Sequence, residues 1–170
     1  MVSALPTAQF ALINHHGEPV TQADFQGRFQ LVYFGFTHCR VICQRSLKKL
    51  HEVLDQLGPM GEDIAALYVT VDPGRDTPDV MKAYLAPHPR FLGLTGNEEA
   101  IAAAKSAFRV FAAAKADADD PDGYSVPHTA IAYLMGPDGE YRDHFADTLA
   151  ADEVAERIRV AFKKEEVRHG

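Results

Sequence analysis

Apolar positions recur along the chain in two periods. Leu31-Val32-Tyr33-Phe34-Gly35-Phe36 is an unbroken apolar run of strand length, which predicts a strand buried on both faces. Ile64 to Val71 is a second such run and Thr129 to Met135 a third. Gly136-Pro137-Asp138-Gly139 follows the third with turn chemistry, so Glu140 to Phe145 reads as its hairpin partner. Near the start, Phe10-Ala11-Leu12-Ile13, the turn at His16-Gly17 and Pro19-Val20-Thr21 read as a short hairpin. Helical spacing alternates with these runs. Leu47, Leu50, Val53, Leu54 and Leu57 lie three and four apart, which predicts a helix over Gln44 to Leu57. Thr77-Pro78-Asp79 supplies a cap and a first-turn proline for another. Asn97-Glu98-Glu99 starts a third, reaching about Phe111, and a last helix runs from about Ala151 to Lys164. This order predicts an α/β sandwich around a mixed central sheet flanked by helices, with an N-terminal β-hairpin.

The chain has 170 residues, which predicts one domain over about residues 10–164, with residues 1–9 as an extension and 165–170 as a tail. Ala114 to Ser125 reads as a solvated loop within it. With 46% apolar and 24% charged residues, a packed core is expected and disorder is not. The formal charge of −7, with no long run of Lys or Arg, argues against nucleic acid as the main partner. No stretch approaches the roughly 18 apolar residues of a membrane helix. The first ten residues have neither a basic start nor an apolar signal core, and they read as the trimmed start of something longer.

The chain has two cysteines, Cys39 and Cys43. Two are too few for a disulfide scaffold, and a bond across three residues staples almost nothing. They follow the first central strand where the chain enters a helix, at the carboxyl edge where α/β sheets carry their sites. Four apart on a helix, both sulfurs would face one side, able to ligate one ion or to close a disulfide. A helix N-terminus stabilises a thiolate at Cys39. His38, Arg40 and Arg45 lie close in sequence and act in the same direction, although the ordinary reading of Arg40 is an exposed charge. Soft thiolates select Cu(I), zinc or iron–sulfur centres. Two cysteines do not hold a cluster, and no second Cys or His pair has zinc-finger spacing. A Cys-Cys-His set suits copper and its exchange. Spacing does not choose the histidine among the eight. His15 and His16 fall in a turn, His51 in mid-helix, His88 after Pro87 and His169 at the end. His128 stands just before the third apolar strand, as a candidate ligand or an ordinary loop histidine.

Several segments, in order, carry a resemblance: Phe34-Gly35-Phe36-Thr37-His38-Cys39 with Cys43; Val69 through Pro78; Leu92-Gly93-Leu94-Thr95-Gly96; His128-Thr129; and Tyr133 through Gly139. From about Phe10 to Phe162 the chain resembles the Sco/SenC copper-chaperone proteins, built on a thioredoxin-like fold. The resemblance implies a copper ion, Cu(I) or Cu(II), bound by Cys39, Cys43 and His128. It implies delivery of that copper to a subunit of cytochrome c oxidase, or exchange with another copper chaperone. It also implies a place on the periplasmic side of the bacterial cytoplasmic membrane, held by an N-terminal anchor that this sequence lacks.

The chain departs from the pattern at the site. Prolines usually follow both cysteines, with an acidic residue between them; here the run is Cys39-Arg40-Val41-Ile42-Cys43-Gln44. Pro127 stands where an Asp is common before the histidine. These changes remove negative charge and add positive charge, so copper affinity is expected to fall and thiolate reactivity to rise. Pro127 reads either as the cis-proline that often faces the cysteines in thioredoxin-like folds or as an ordinary trans proline in a loop. Asp72 to Asp76 reads in two ways: Asp72 supports the site from a strand end, or the segment is turn and capping chemistry for the helix at Thr77. The leading alternative function is a thiol–disulfide oxidoreductase that reduces the cysteines of a copper-receiving partner, with Cys39 and Cys43 as its catalytic residues. A third is a peroxidase, since Thr37, two residues before Cys39, is similar to a peroxiredoxin site.

Overall fold

The structure is a computed structural model, describing residues 9–35, 37, 42–116, 131–146 and 148–169; the side chains of Ile42, Cys43, 109–116, 168 and 169 are outside that description. Seven strands form one mixed sheet in the order β2-β1-β5-β4-β3-β6-β7. They are β1 (Ala11–Asn14), β2 (Pro19–Thr21), β3 (Phe29–Gly35), β4 (Ile64–Thr70), β5 (Phe91–Thr95), β6 (Ile131–Met135) and β7 (Tyr141–Ala146). The helices are α1 (Ile42–Leu57), α2 (Pro59–Glu62), α3 (Pro78–Leu85), α4 (Glu98–Ala116) and α5 (Ala151–His169). β3, β4 and β5 run parallel, and β1, β6 and β7 pair antiparallel to their neighbours.

The two central apolar runs are buried along their whole length, because strand alternation delivers their side chains to two separate cores. Leu31, Tyr33, Ala66 and Tyr68 face α1, α3 and α5, packing with Leu50, Leu54, Met81, Leu85 and Ile158. Val32, Phe34, Leu67 and Val69 face the other way, against Ile101, Ala104 and Phe108 of α4 and Phe10 and Leu12 of the hairpin. A polar side chain substituted into either core would be buried away from water, at a cost unless it found a hydrogen-bond partner.

The elements predicted from periodicity are present, with shifted ends. β3 starts at Phe29, α1 at Ile42, and α4 continues to Ala116. The first residues of the expected loop at Ala114 are therefore helical, and the rest of it lies outside the described residues. α5 passes Lys164 and ends at His169. Past Lys164, Glu165 is buried and accepts a bond from Arg142 Nη2 at 2.9 Å. The Gly136–Gly139 turn closes as read, with Gly139 N–H donating to Gly136 O at 2.8 Å.

β5 is the strand that periodicity missed. It is five residues long with Gly93 at its centre, and glycine in a strand weakens the local signal. The packing of α3 favours that glycine: a Cβ there would meet Leu85 Cδ1 at 2.9 Å and Met81 Cε at 3.1 Å. α3 packs directly over it.

Candidate metal centre

The site edge is set by register. Gly35 pairs with Thr70, and Val71 N–H donates to Gly35 O at 2.8 Å. Leu94 pairs with Val69, so the carboxyl ends of β3, β4 and β5 are level. β6 enters the sheet at the same edge, because Tyr33 pairs antiparallel with Ala132 and β6 begins one residue earlier, at Ile131. The chain therefore leaves β3 toward Cys39 and arrives at β6 from His128 along one edge of the sheet.

Cys43 lies in the first turn of α1. Cys39, His128, His38, Arg40 and Pro127 lie outside the described residues, as does the side chain of Cys43. The expectation that both sulfurs share one helix face falls there too, since the described part of α1 begins at Ile42. Gln44 and Arg45 are exposed on α1, while Ser46 and Leu47 turn inward. Among the described residues, no group of three or more His, Cys, Asp or Glu side chains is arranged to hold a metal ion.

Four of the other histidines are placed away from this edge by contacts of their own. His15 Nδ1 accepts the Gly93 N–H at 2.9 Å, and its ring meets that of His16 edge-on. His51 approaches Asp55 at 3.4 Å and faces His88 with ring centroids 5.5 Å apart. Burial, and then His16, hold the His15 pKa below the usual histidine value. Burial, and then His51, do the same for His88.

The turn after β4 separates the two readings of Asp72 to Asp76. Asp72 is bound to Arg75, Nε to Oδ2, at 2.5 Å, and its carbonyl accepts from Arg75 N and Asp76 N. Thr77 caps α3, accepting from Val80 N–H at 3.4 Å. Among the described residues, Asp72 thus performs turn chemistry. The carboxylate aimed at the site edge is that of Asp76, which is fully buried. It accepts from Thr37 N–H at 3.0 Å, from Thr37 Oγ1–H, and from Thr70 Oγ1–H at 2.7 Å. Its backbone carbonyl accepts from Thr95 Oγ1–H at 2.8 Å. One residue thereby ties the exits of β3, β4 and β5 together. Sequence reasoning treated Asp76 as one more member of a shared segment. The available signal was an acid directly before a helix that Thr77 already caps, and so not required for capping.

The SCO1/SenC family model matches residues 3–163. The chain belongs to the SCO1/SenC family. The mitochondrial SCO2 homolog of Bos taurus is 39% identical over 160 residues, covering 92% of this chain and 60% of the bovine protein. The chain thus spans about three fifths of that relative's length. The crystal structure of yeast Sco1 with copper bound superposes with a TM-score of 0.79 at 30% identity, covering 95% of each chain. The Bradyrhizobium japonicum ScoI structure with copper bound gives a TM-score of 0.73 at 32% identity, covering 90% of this chain and 97% of that one. The sheet described above is the thioredoxin-like fold of these SCO1/SenC proteins. Among the described residues, no helix is long and apolar enough to cross a membrane.

Proposed function

We propose that this protein binds a copper ion through Cys39, Cys43 and His128 and passes it to the copper-receiving subunit of cytochrome c oxidase, or exchanges it with another copper chaperone. One observation carries this reading. The β3 exit and the β6 entrance share one sheet edge, and the cysteines follow the first while His128 precedes the second. Two thiolates and an imidazole form a soft, three-donor set suited to Cu(I). Three donors leave the ion open to an incoming thiolate, so transfer by ligand exchange has a low barrier. The copper-bound yeast and Bradyrhizobium structures in the same family support the choice of metal. The working place is the periplasmic side of a bacterial membrane, with the domain tethered by a preceding anchor.

The decisive experiment is titration of the reduced protein with Cu(I) against a competing chelator. The expected result is one copper per chain, with binding weakened at least about a hundredfold by Cys39→Ala, Cys43→Ala or His128→Ala, as for loss of a direct ligand. Failure of the wild type to compete for copper sinks the chaperone reading.

The second reading, a thiol–disulfide reductase acting on the partner's cysteines, is favoured by Arg40, Gln44 and Pro127. These replace residues that would add negative charge or rigidity at a metal site. It requires Cys39 and Cys43 but not His128. Activity on a disulfide partner that survives His128→Ala, without competitive copper binding, would establish it. Arg40→Pro is expected to tighten Cu(I) binding if the departures weakened the metal site.

A further inference from the structure

Thr37 stands two residues before Cys39, just past the last β3 residue. Its backbone N–H and its hydroxyl both go to the carboxylate of Asp76, across 39 positions of sequence. The same carboxylate takes the hydroxyl of Thr70 at 2.7 Å, and Thr70 Oγ1 in turn accepts the Asp72 N–H at 2.9 Å. Asp76 is itself fixed at two further points: its N–H donates to Asp72 O at 2.9 Å, and its carbonyl accepts from Thr95 at 2.8 Å. A buried carboxylate unsupported by donors would be expelled or protonated. With three charge-assisted bonds it becomes a rigid acceptor. Two bonds to one residue, one from its backbone and one from its side chain, fix both the position and the orientation of Thr37. Thr37 stands two residues before Cys39 in sequence, so it is the described anchor nearest to that cysteine on the β3 side.

We propose that Asp76 is a positioning residue for Cys39, acting through Thr37 to hold the β3–α1 turn in the conformation that presents the first thiolate. The proposal rests on the reading of Cys39 as a ligand or redox-active thiol. It adds a residue that touches neither copper nor sulfur. A ligand held from behind in this way loses less entropy on binding metal. The role is geometric, so the acceptor pattern matters and the net charge does not. An asparagine at position 76 places its amide oxygen where it accepts from Thr37 N–H and Thr70 O–H. Its NH₂ group then donates to Thr37 Oγ1, which is able to accept.

The test compares Asp76→Ala, Asp76→Asn, Thr37→Val and Glu165→Ala in the full chain. Glu165→Ala is the control that destabilises the fold far from this turn. Two readouts are used: Cu(I) affinity by chelator competition, and the iodoacetamide alkylation rate of Cys39 relative to Cys43 by peptide mass spectrometry. Asp76→Ala is expected to weaken Cu(I) binding about tenfold, the scale for losing support behind a ligand. It is also expected to change the Cys39 alkylation rate relative to Cys43 about fivefold, as the anchor two residues before Cys39 is released. Asp76→Asn restores both to within about twofold, because its hydrogen bonds are retained. Thr37→Val, which keeps the fold if Asp76→Ala does not, moves both in the same direction by about threefold. Alkylation unchanged in both Asp76→Ala and Thr37→Val overturns the proposal. So does an equal effect in Glu165→Ala, which would trace the changes to lost stability. If the wild type binds no copper, the copper reading fails by itself, and the alkylation rates still decide the role of Asp76.

Discussion

Two buried carboxylates, at opposite sides of the fold, are satisfied by different chemistry. Glu165 on α5 is 7% exposed and pairs with Arg142 of β7 at 2.9 Å, and the same guanidinium reaches Asp138 at 3.0 Å. Asp76 is fully buried, and among the described residues it takes neutral donors, two from Thr37 and one from Thr70. Arg142 and Glu165 stitch β7 to α5 through a charge-assisted hydrogen bond between two long side chains, and so hold the elements together with both ends on flexible stems. Hydroxyl and amide donors are directional and short-ranged, so they fix Thr37 in place. The first arrangement holds a layer together; the second holds one residue, Thr37, at the exit of β3.

The largest expected effect comes from breaking the directional clamp. Asp76→Ala removes three charge-assisted bonds, from the part-buried N–H and hydroxyl of Thr37 and from the hydroxyl of Thr70. A loss of about 4 kcal/mol is expected from the usual cost of such bonds, read from the urea midpoint at an unchanged slope. Glu165→Ala is expected to cost about 2 kcal/mol, less because Arg142 retains Asp138. Its Cu(I) affinity and Cys39 alkylation stay at the wild-type level. A Glu165→Ala loss as large as that of Asp76→Ala would erase the distinction between stitch and clamp.

What was legible in the sequence follows the same division. β3 and β4 were visible because unbroken apolar runs have one explanation, and α3 because Thr77 and Pro78 mark a helix start by local chemistry alone. β5 was not, since Gly93 interrupts its pattern and what favours glycine there is the distant pair Leu85 and Met81. The site behaved similarly. Resemblance named Cys39, Cys43 and His128, which lie beyond the described side chains, while the edge shared by the β3 exit and the β6 entrance follows from register, a property no local pattern contains. In the sequence Asp76 is one member of a shared segment, and Asp72 reads either as a support of the site or as turn chemistry. Separating the two required knowing that Thr37 meets residue 76 across a parallel crossover.

The stitch makes a further prediction that the clamp does not. Replacing a buried ion pair by apolar residues of similar size is often neutral, because the desolvation penalty disappears along with the attraction. The double variant Arg142→Met with Glu165→Leu is therefore expected within about 1 kcal/mol of wild type by urea unfolding, recovering most of the Glu165→Ala loss. Asp138 is left at the surface, where it is well hydrated. A double variant as unstable as Glu165→Ala alone would mean that Glu165 fixes α5 directionally, as Asp76 fixes Thr37.

The smallest effect concerns pH, and it sharpens the comparison by removing a shared background. Burial, then neighbouring His16 and Lys82, lower the His15 pKa; burial, then His51, lower that of His88. A histidine whose folded pKa lies below its unfolded value of about 6.5 binds protons more readily when unfolded. Its stabilising contribution is thus complete above pH 6.5 and declines as pH falls through that value toward the folded pKa. For His15 the geometry gives protonation a further consequence: Nδ1 accepts the Gly93 N–H at 2.9 Å, and a proton on that atom would remove the acceptor. The wild type should lose stability between pH 7.5 and 5.5 in urea unfolding, by less than the Glu165→Ala loss. His15→Gln, whose amide oxygen accepts from Gly93 without titrating, should flatten part of that slope. The gap between Asp76→Ala and Glu165→Ala should be the same in the His15→Gln background as in the wild type, since neither carboxylate bonds to His15. A slope that His15→Gln leaves intact would move the pH sensitivity to His88, and a changed gap would couple this strand to the clamp.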